Sequence, residues 1–263
     1  MKYKIEKNTV QETLIIPLYA RKVCSELYPA LYRDETSIRL LMEIEYDFSE
    51  AEQKSRSLMQ RFGALEVTMR QNDLAVEVRA YLKSHPNASV VNLGCGLDNT
   101  GRTCDNGSCR LYNLDFPDVI TMRNELLPAG EREENIPCDL NDTAAWLGRI
   151  DLAQGAVFFA SGVFYYFLKE QVRALVLALA DACPEGALVF DAANQTAVRM
   201  IAKTWLKVQR SGMLEPILRF RMHRRSFPRG TAACVFPAGA ICWLQQSKRS
   251  IRQRVLPPSR QSG

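Results

Sequence analysis

The chain has 263 residues, a formal net charge of +5, and 47% hydrophobic, 9% aromatic and 24% charged residues. This is ordinary globular composition; it excludes a wholly disordered or collagen-like chain, and the length suits one large domain or one domain with a helical extension. No apolar run approaches the ~18 residues of a membrane span; the charged start (Lys2, Lys4, Glu6, Lys7) lacks the apolar stretch of a secretion signal, so a soluble cytoplasmic protein is expected.

Residues 10–82 read as helical. Leu14, Leu18, Leu27 and Leu31, then Leu40, Leu41 and Ile44, recur at helical spacing, with Pro17 and Pro29 as expected interruptions. A further run over 64–82 places Leu65, Met69, Val76, Val78 and Leu82 on one side and stops before Ser84-His85-Pro86-Asn87.

From Ala88 the pattern changes. Ser89–Leu93 is a short β-branched run meeting Gly94-Cys95-Gly96, and Arg110–Asp115 is a second strand closed by Phe116-Pro117. Asp118 is placed to cap a helix through Val119, Met122, Leu126 and Leu127. Asn135–Cys138 reads as a weak third strand, Gly155–Ala160 as a buried fourth, Lys169–Cys183 as a helix, Ala187–Asp191 as a fifth strand and Gln195–Arg210 as a helix. Strands alternating with helices imply parallel βαβ units, hence a doubly wound α/β sheet.

The eight cysteines are scattered. The nearest pair, Cys104 and Cys109, has four residues between, and the chain holds two histidines. Structural zinc sets favour closer pairs, so free thiols and no metal are expected.

In an open parallel sheet, ligands bind beyond the carboxyl ends of the strands. Four such ends carry glycine or polar residues: Gly94-Cys95-Gly96, Asp115, Asp139 and Ser161-Gly162. Glycines let backbone approach a ligand, and an acid about 20 residues on suits ribose hydroxyls; Asp115 lies 21 positions after Gly94. The functional reading is a nucleoside-containing cofactor; the alternative is a tight turn with Asp115 capping the next segment. Position 99 is Asn, so the third glycine of a dinucleotide fingerprint is absent and a cofactor without a pyrophosphate fits better.

Five ordered motifs carry a resemblance: Thr13–Arg21, Ile44–Phe48, Val90–Asp98, Tyr112–Ile120 and Ala160–Tyr166. They resemble the leucine carboxyl methyltransferase-like family, in its bacterial polyketide O-methyltransferase branch, over about residues 10–212. The resemblance implies a Rossmann-like class I methyltransferase that binds S-adenosylmethionine and methylates a carboxylate or hydroxyl of a small, polyketide-like molecule. It implies that Gly94, Cys95 and Gly96 form the turn beside the methionine portion, Asp115 holds the ribose and Asp139-Leu140 flank the adenine. It also implies that Arg70 meets the cofactor carboxylate, the alternative being a solvated helix arginine; Arg33 is a weaker candidate. Ser161 stands where the family usually carries an acid, and an Arg after Asp98 is missing. A carboxylate acceptor is already ionised and needs no base, whereas a phenol benefits from one. No catalytic residue is named: Asp98 reads as a base or a local cap, and Tyr19, Tyr165 and Tyr166 as acceptor-pocket lining or core.

Three regions follow: residues 1–87, a helical extension or lid; 88–212, the cofactor-binding core; and 213–263, an atypical tail. Up to Gly212 the chain has 24 Lys and Arg against 28 Asp and Glu; from Met213 it has 10 against Glu215 alone. The closing strands of the sheet are expected to be missing or abnormal there. A basic arm for phosphates, a solvated extension and a frameshifted ending compete, and the last is preferred because composition and resemblance break together. A non-catalytic remnant is the alternative to an enzyme; no membrane or nucleic-acid partner is expected.

Overall fold

The computed structural model describes residues 2–5, 10–55, 57–191 and 241–245. The expected helix over Gln195–Arg210, and the tail apart from 241–245, lie outside them.

The first region is helical: α1 (Val10–Leu27), α2 (Glu35–Glu43), α3 (Ser49–Ser55) and α4 (Leu58–Ser84). Two-residue strands β1 (Tyr3–Lys4) and β2 (Ile44–Glu45) pair in parallel, an element not expected from sequence. Pro17 lies inside α1 and does not end it. Burial of Ile15, Leu18 and Cys24 holds the helix on both sides of the proline, so packing outweighs the missing donor. Pro29 follows the end of α1 and acts as the expected stop.

The buried face of α4 differs from the expected one. Ala64, Thr68, Gln71, Leu74, Ala75, Val78 and Leu82 face inward, while Met69 and Val76 are exposed. Thr68 and Gln71 are polar, so an apolar count misplaces the stripe. Thr68 donates to the carbonyls of Ala64 and Leu65, and Gln71 bonds residues at the site.

The second region alternates β3 (Ser89–Leu93), α5 (Thr100–Thr103), β4 (Arg110–Asp115), α6 (Pro117–Leu126), β5 (Glu133–Pro137), α7 (Thr143–Leu147), β6 (Ala156–Ala160), α8 (Lys169–Ala182) and β7 (Ala187–Asp191). Helix α6 starts with Pro117 at its first position, so Asp118 sits in the first turn rather than at the cap. With β8 (Ile241–Gln245), the sheet order is β5-β4-β3-β6-β7-β8. The first five strands are parallel, and β8 runs antiparallel to β7. Of the closing strands expected to be missing or abnormal, one antiparallel strand, β8, is present among the described residues; its Ile241-Cys242-Trp243-Leu244 is a short β-favouring run hidden by the basic composition around it, and the rest of that region lies outside the described residues.

Period-two alternation sends neighbouring residues to opposite faces. Val91, Phe158 and Leu188 pack with Trp146 of α7 and Val172, Leu175 and Leu179 of α8. Val90, Val157 and Val189 pack with Leu74, Val78 and Tyr81 of α4. Both faces are thus covered, as a parallel sheet requires. A third cluster joins Ile15 and Leu18 of α1 and Leu40 and Leu41 of α2 to Leu97 and to Met122 and Leu126 of α6. It lays the N-terminal helices over the turn that follows β3. The chain moves outward from β3 to β4 and β5, then returns to β6 on the other side of β3. That switch point places the crevice at Gly94–Asp98.

Candidate cofactor and active site

The turn after β3 is built on two left-handed glycines, Gly94 (φ 66°) and Gly96 (φ 47°). A Cβ on Gly94 would stand 2.6 Å from Val163 Cγ2, and one on Gly96 would stand 2.9 Å from Leu14 Cδ2 of α1. Both positions favour glycine for conformation, and Gly94 also needs it for space. Cys95 between them is buried, and burial pushes its thiol well above the usual range. It is a packing residue with no thiolate character.

Asp115, at the end of β4, accepts the Gly96 N–H at Oδ2 (2.8 Å) and the Phe116 N–H at Oδ1 (2.8 Å). It thus ties the second strand end to the glycine turn. A carboxylate has about four acceptor positions, so capacity for further donors remains. Burial raises its pKa, and the two backbone N–H groups oppose that rise.

Asp139 follows β5 and takes the Asn141 backbone N–H and side-chain amide on one oxygen, both at 2.9 Å. Leu140 is buried in the core beside Ile136 and Trp146. Burial and the nearby Asp115 and Asp139 charges push the Cys138 thiol up to about 12.

The turn is braced from three helices. Arg123 of α6 is 1% exposed and donates to the carbonyls of Gly96 (2.9 Å) and Asp98 (2.7 Å). Gln71 of α4 donates to Asp98 Oδ1 and to Thr100 Oγ1 (2.7 Å). Arg21 of α1 donates to the Leu97 carbonyl (3.1 Å) and lies 3.6 Å from Asp98 and 3.3 Å from Asp34. Asp34 caps α2 through the Ser37 N–H. Tyr32 donates to Asp34 and Gln71, and burial raises its phenol. Asp98 also accepts from the backbone N–H and hydroxyl of Thr100 and from Asn92. With these partners it is a local cap, which is the alternative to the base reading.

On the other side of β3, Gly162 is also left-handed (φ 71°). Its N–H donates to Asp191 Oδ1 at 2.6 Å, and Arg70 Nη1 lies 3.0 Å from Asp191 Oδ2. A Cβ on Gly162 would come within 3.1 Å of Arg70 Nη2. Arg70, Gly162 and Asp191 therefore meet at the ends of β6 and β7, so Arg70 is not a solvated helix arginine. Ser161 is half-buried in the same turn. Tyr166 is nearly half exposed; burial of its hydroxyl raises the phenol, and the Arg70 charge opposes this.

Other candidates lie elsewhere. Arg33 pairs with Glu35 on the surface (2.5 Å). Tyr19 stacks on Phe48 with ring centroids 5.7 Å apart. The Tyr165 side chain lies outside the described residues. Cys24, Cys95, Cys104, Cys109, Cys138 and Cys183 are free, and among the described residues no group of three His, Cys, Asp or Glu side chains is set to hold a metal. No helix among them is long and apolar enough to cross a membrane. The sequence reading missed Arg123, Gln71 and Asp191. Of these, Asp191 carried a usable signal, an acid at a strand's carboxyl end like Asp115.

A parallel sheet, a left-handed glycine turn at its switch point and a strand-end acid bonded to that turn define a Rossmann-like nucleotide-cofactor fold of the class I methyltransferase kind. The leucine carboxyl methyltransferase family matches residues 17–180. The tetracenomycin polyketide synthesis O-methyltransferase TcmP of Streptomyces glaucescens is 29% identical over 184 residues, covering 70% of this chain and 66% of that protein. The S-adenosyl-L-methionine-dependent methyltransferase dpfgK of Gibberella zeae is 27% identical over 226 residues, covering 80% and 75%. Among solved structures, the mitomycin 7-O-methyltransferase MmcR is 20% identical, with a TM-score of 0.45 over 76% of this chain and 60% of that one. The chain therefore spans about two thirds to three quarters of the length of these curated relatives.

The chain belongs to the leucine carboxyl methyltransferase family. S-adenosylmethionine is the cofactor that the name of the dpfgK relative carries. The residues present fit that group: a turn with two left-handed glycines at the end of β3, a strand-end carboxylate with acceptor capacity left, and a part-exposed guanidinium at the end of β6.

Proposed function

We propose that this chain is an S-adenosylmethionine-dependent O-methyltransferase of the cytoplasm, acting on a carboxylate or hydroxyl of a small molecule of the polyketide class. The observation that carries the reading is the bond from the Gly96 N–H to Asp115, which locks the glycine turn to the second strand end at the switch point. The similarity to TcmP supports the acceptor class. The acidic balance of the body supports a small molecule over a nucleic acid.

In this reading Gly94, Cys95 and Gly96 hold the methionine portion by close backbone approach. Asp115 accepts the ribose hydroxyls, Asp139 and Leu140 flank the adenine, and Ser161 offers a neutral hydroxyl near the sulfur. Arg70 receives the cofactor carboxylate through charge-assisted hydrogen bonds. When bound, the cofactor supplies an electrophilic methyl group on a sulfonium. The chain's own contribution is to hold the acceptor oxygen near that methyl and exclude water, which can lower the barrier by up to about 7–11 kcal/mol. A carboxylate acceptor arrives ionised, so the site needs no proton-accepting side chain for it.

The N-terminal helices over the turn act as the cover of the acceptor side, with residues 88–212 as the cofactor core. Incubating the full chain with methyl-labelled cofactor and a panel of aromatic carboxylates and phenols tests the reading. Acceptor-dependent transfer of label to oxygen supports it; cofactor binding without transfer to any acceptor supports a non-catalytic remnant instead.

A further inference from the structure

We propose that Asp191 is a positioning residue for Arg70, and that through Arg70 it sets the preference for a methyl donor bearing an α-carboxylate. This rests on the reading that Arg70 receives that carboxylate.

Three observations converge on Asp191. It is 7% exposed on its side chain, at the carboxyl end of β7, one strand from the switch point. One oxygen takes the Gly162 N–H at 2.6 Å and the other lies 3.0 Å from Arg70 Nη1. The same guanidinium lies over Gly162, whose missing Cβ leaves the room it occupies. A single carboxylate thus fixes the turn after β6 and one edge of Arg70 together.

The consequence follows from the chemistry of the pair. Arginine reaches this point from α4 on a long, rotamer-rich side chain, and anchoring it beforehand lowers the ordering cost of binding a second anion. Guanidinium has five N–H donors in a fixed fork, a geometry that can hold more than one carboxylate. The Arg70 side chain is 24% exposed beside the buried acid. Ser161, in the same turn, brings no charge to compete. Asp191 therefore does from β7 what no residue of the β6 turn does: it holds the cation in place.

Calorimetric titration of the full chain with S-adenosylmethionine and with its decarboxylated analogue tests this. The wild type should prefer the carboxylate-bearing donor by about tenfold. Asp191→Asn should reduce that preference to about twofold by weakening S-adenosylmethionine alone, and Arg70→Met should do the same. Asp191→Glu keeps the charge but displaces it by a methylene, and should give an intermediate preference; it also decides the matter if Asp191→Asn melts too low to titrate. Full preference in folded Asp191→Asn, or in Asp191→Glu, overturns the proposal while leaving the Arg70 reading intact. No preference in the wild type overturns the Arg70 reading itself.

Discussion

Arg123 and Gly96 are joined by a buried hydrogen bond: the guanidinium donates at 2.9 Å to the carbonyl of the second glycine of the cofactor turn. The same Nη1 reaches the Asp98 carbonyl at 2.7 Å, and Nε donates to Asn135 Oδ1 at 3.1 Å. Glu133, also buried, supplies the opposing charge at 3.6 Å. Arg123 is thus the brace that reaches the turn from the helix between β4 and β5.

Arg123→Met should therefore lower stability by about 1–3 kcal/mol, because the carbonyls of Gly96 and Asp98 lose a buried donor while Glu133 keeps Arg102 at 2.7 Å. Denaturant unfolding measures the loss. Arg123→Lys keeps a charge without the planar fork and should recover part of it.

The two glycines of the turn should respond unequally to a methyl group. Gly94→Ala meets the branched, buried Val163, whereas Gly96→Ala meets the flexible end of Leu14. Each also adopts a left-handed backbone, costing roughly 1–2 kcal/mol for a residue with a Cβ. Gly94→Ala should be the more damaging to stability and cofactor affinity, and Val163→Ala should partly rescue it. Thermal melts and cofactor titration of the three variants check the order.

Arg21 sits between Asp34 and Asp98 with side-chain exposures of 5%, 5% and 16%. Removing it leaves two buried carboxylates without their cation. Arg21→Met should lower stability by about 3–5 kcal/mol. Adding Asp34→Asn should cost less than the sum of the two single changes, since part of the harm is the unpaired acid. A double-mutant cycle by urea unfolding reads the coupling.

Much of this arrangement is visible in the residues themselves. Ser89–Leu93 and Arg110–Asp115 are short, β-rich runs bounded by turn residues, and the strands keep those bounds. The glycine turn and Asp115 stand out because the fold puts ligands at strand ends. The braces do not stand out: Arg123 and Gln71 lie on helices, where a polar residue reads as solvent-facing until its buried partners are known. The inward face of α4 was misplaced for the same reason, since Thr68 and Gln71 replace apolar residues there. Strand β8 is hidden by its setting, because the basic stretches around it mask the short β-favouring run that pairs with β7.

Asp115 gives the site a pH dependence. Its pKa is raised in the folded chain, mainly by burial. The native state therefore binds this proton more tightly than the unfolded chain does, so this group's contribution to stability falls as pH rises from the ordinary carboxylate range through the raised value. Cofactor affinity should move the other way, because ribose hydroxyls need the ionised form as acceptor. It should weaken on acidification at a pH above the usual carboxylate range, and Asp115→Asn should bind weakly with no such dependence. Titrations across pH 4–7, roughly the interval above the ordinary carboxylate pKa, show the difference.

The central claim is that the crevice at Gly94–Asp115 holds S-adenosylmethionine. Calorimetric titration of the folded full chain with that cofactor tests it most directly. One saturable site per chain, abolished by Gly94→Val and weakened by Asp115→Asn, is the predicted result. A folded chain that takes up no S-adenosylmethionine, or takes it up equally well in both variants, would contradict the account.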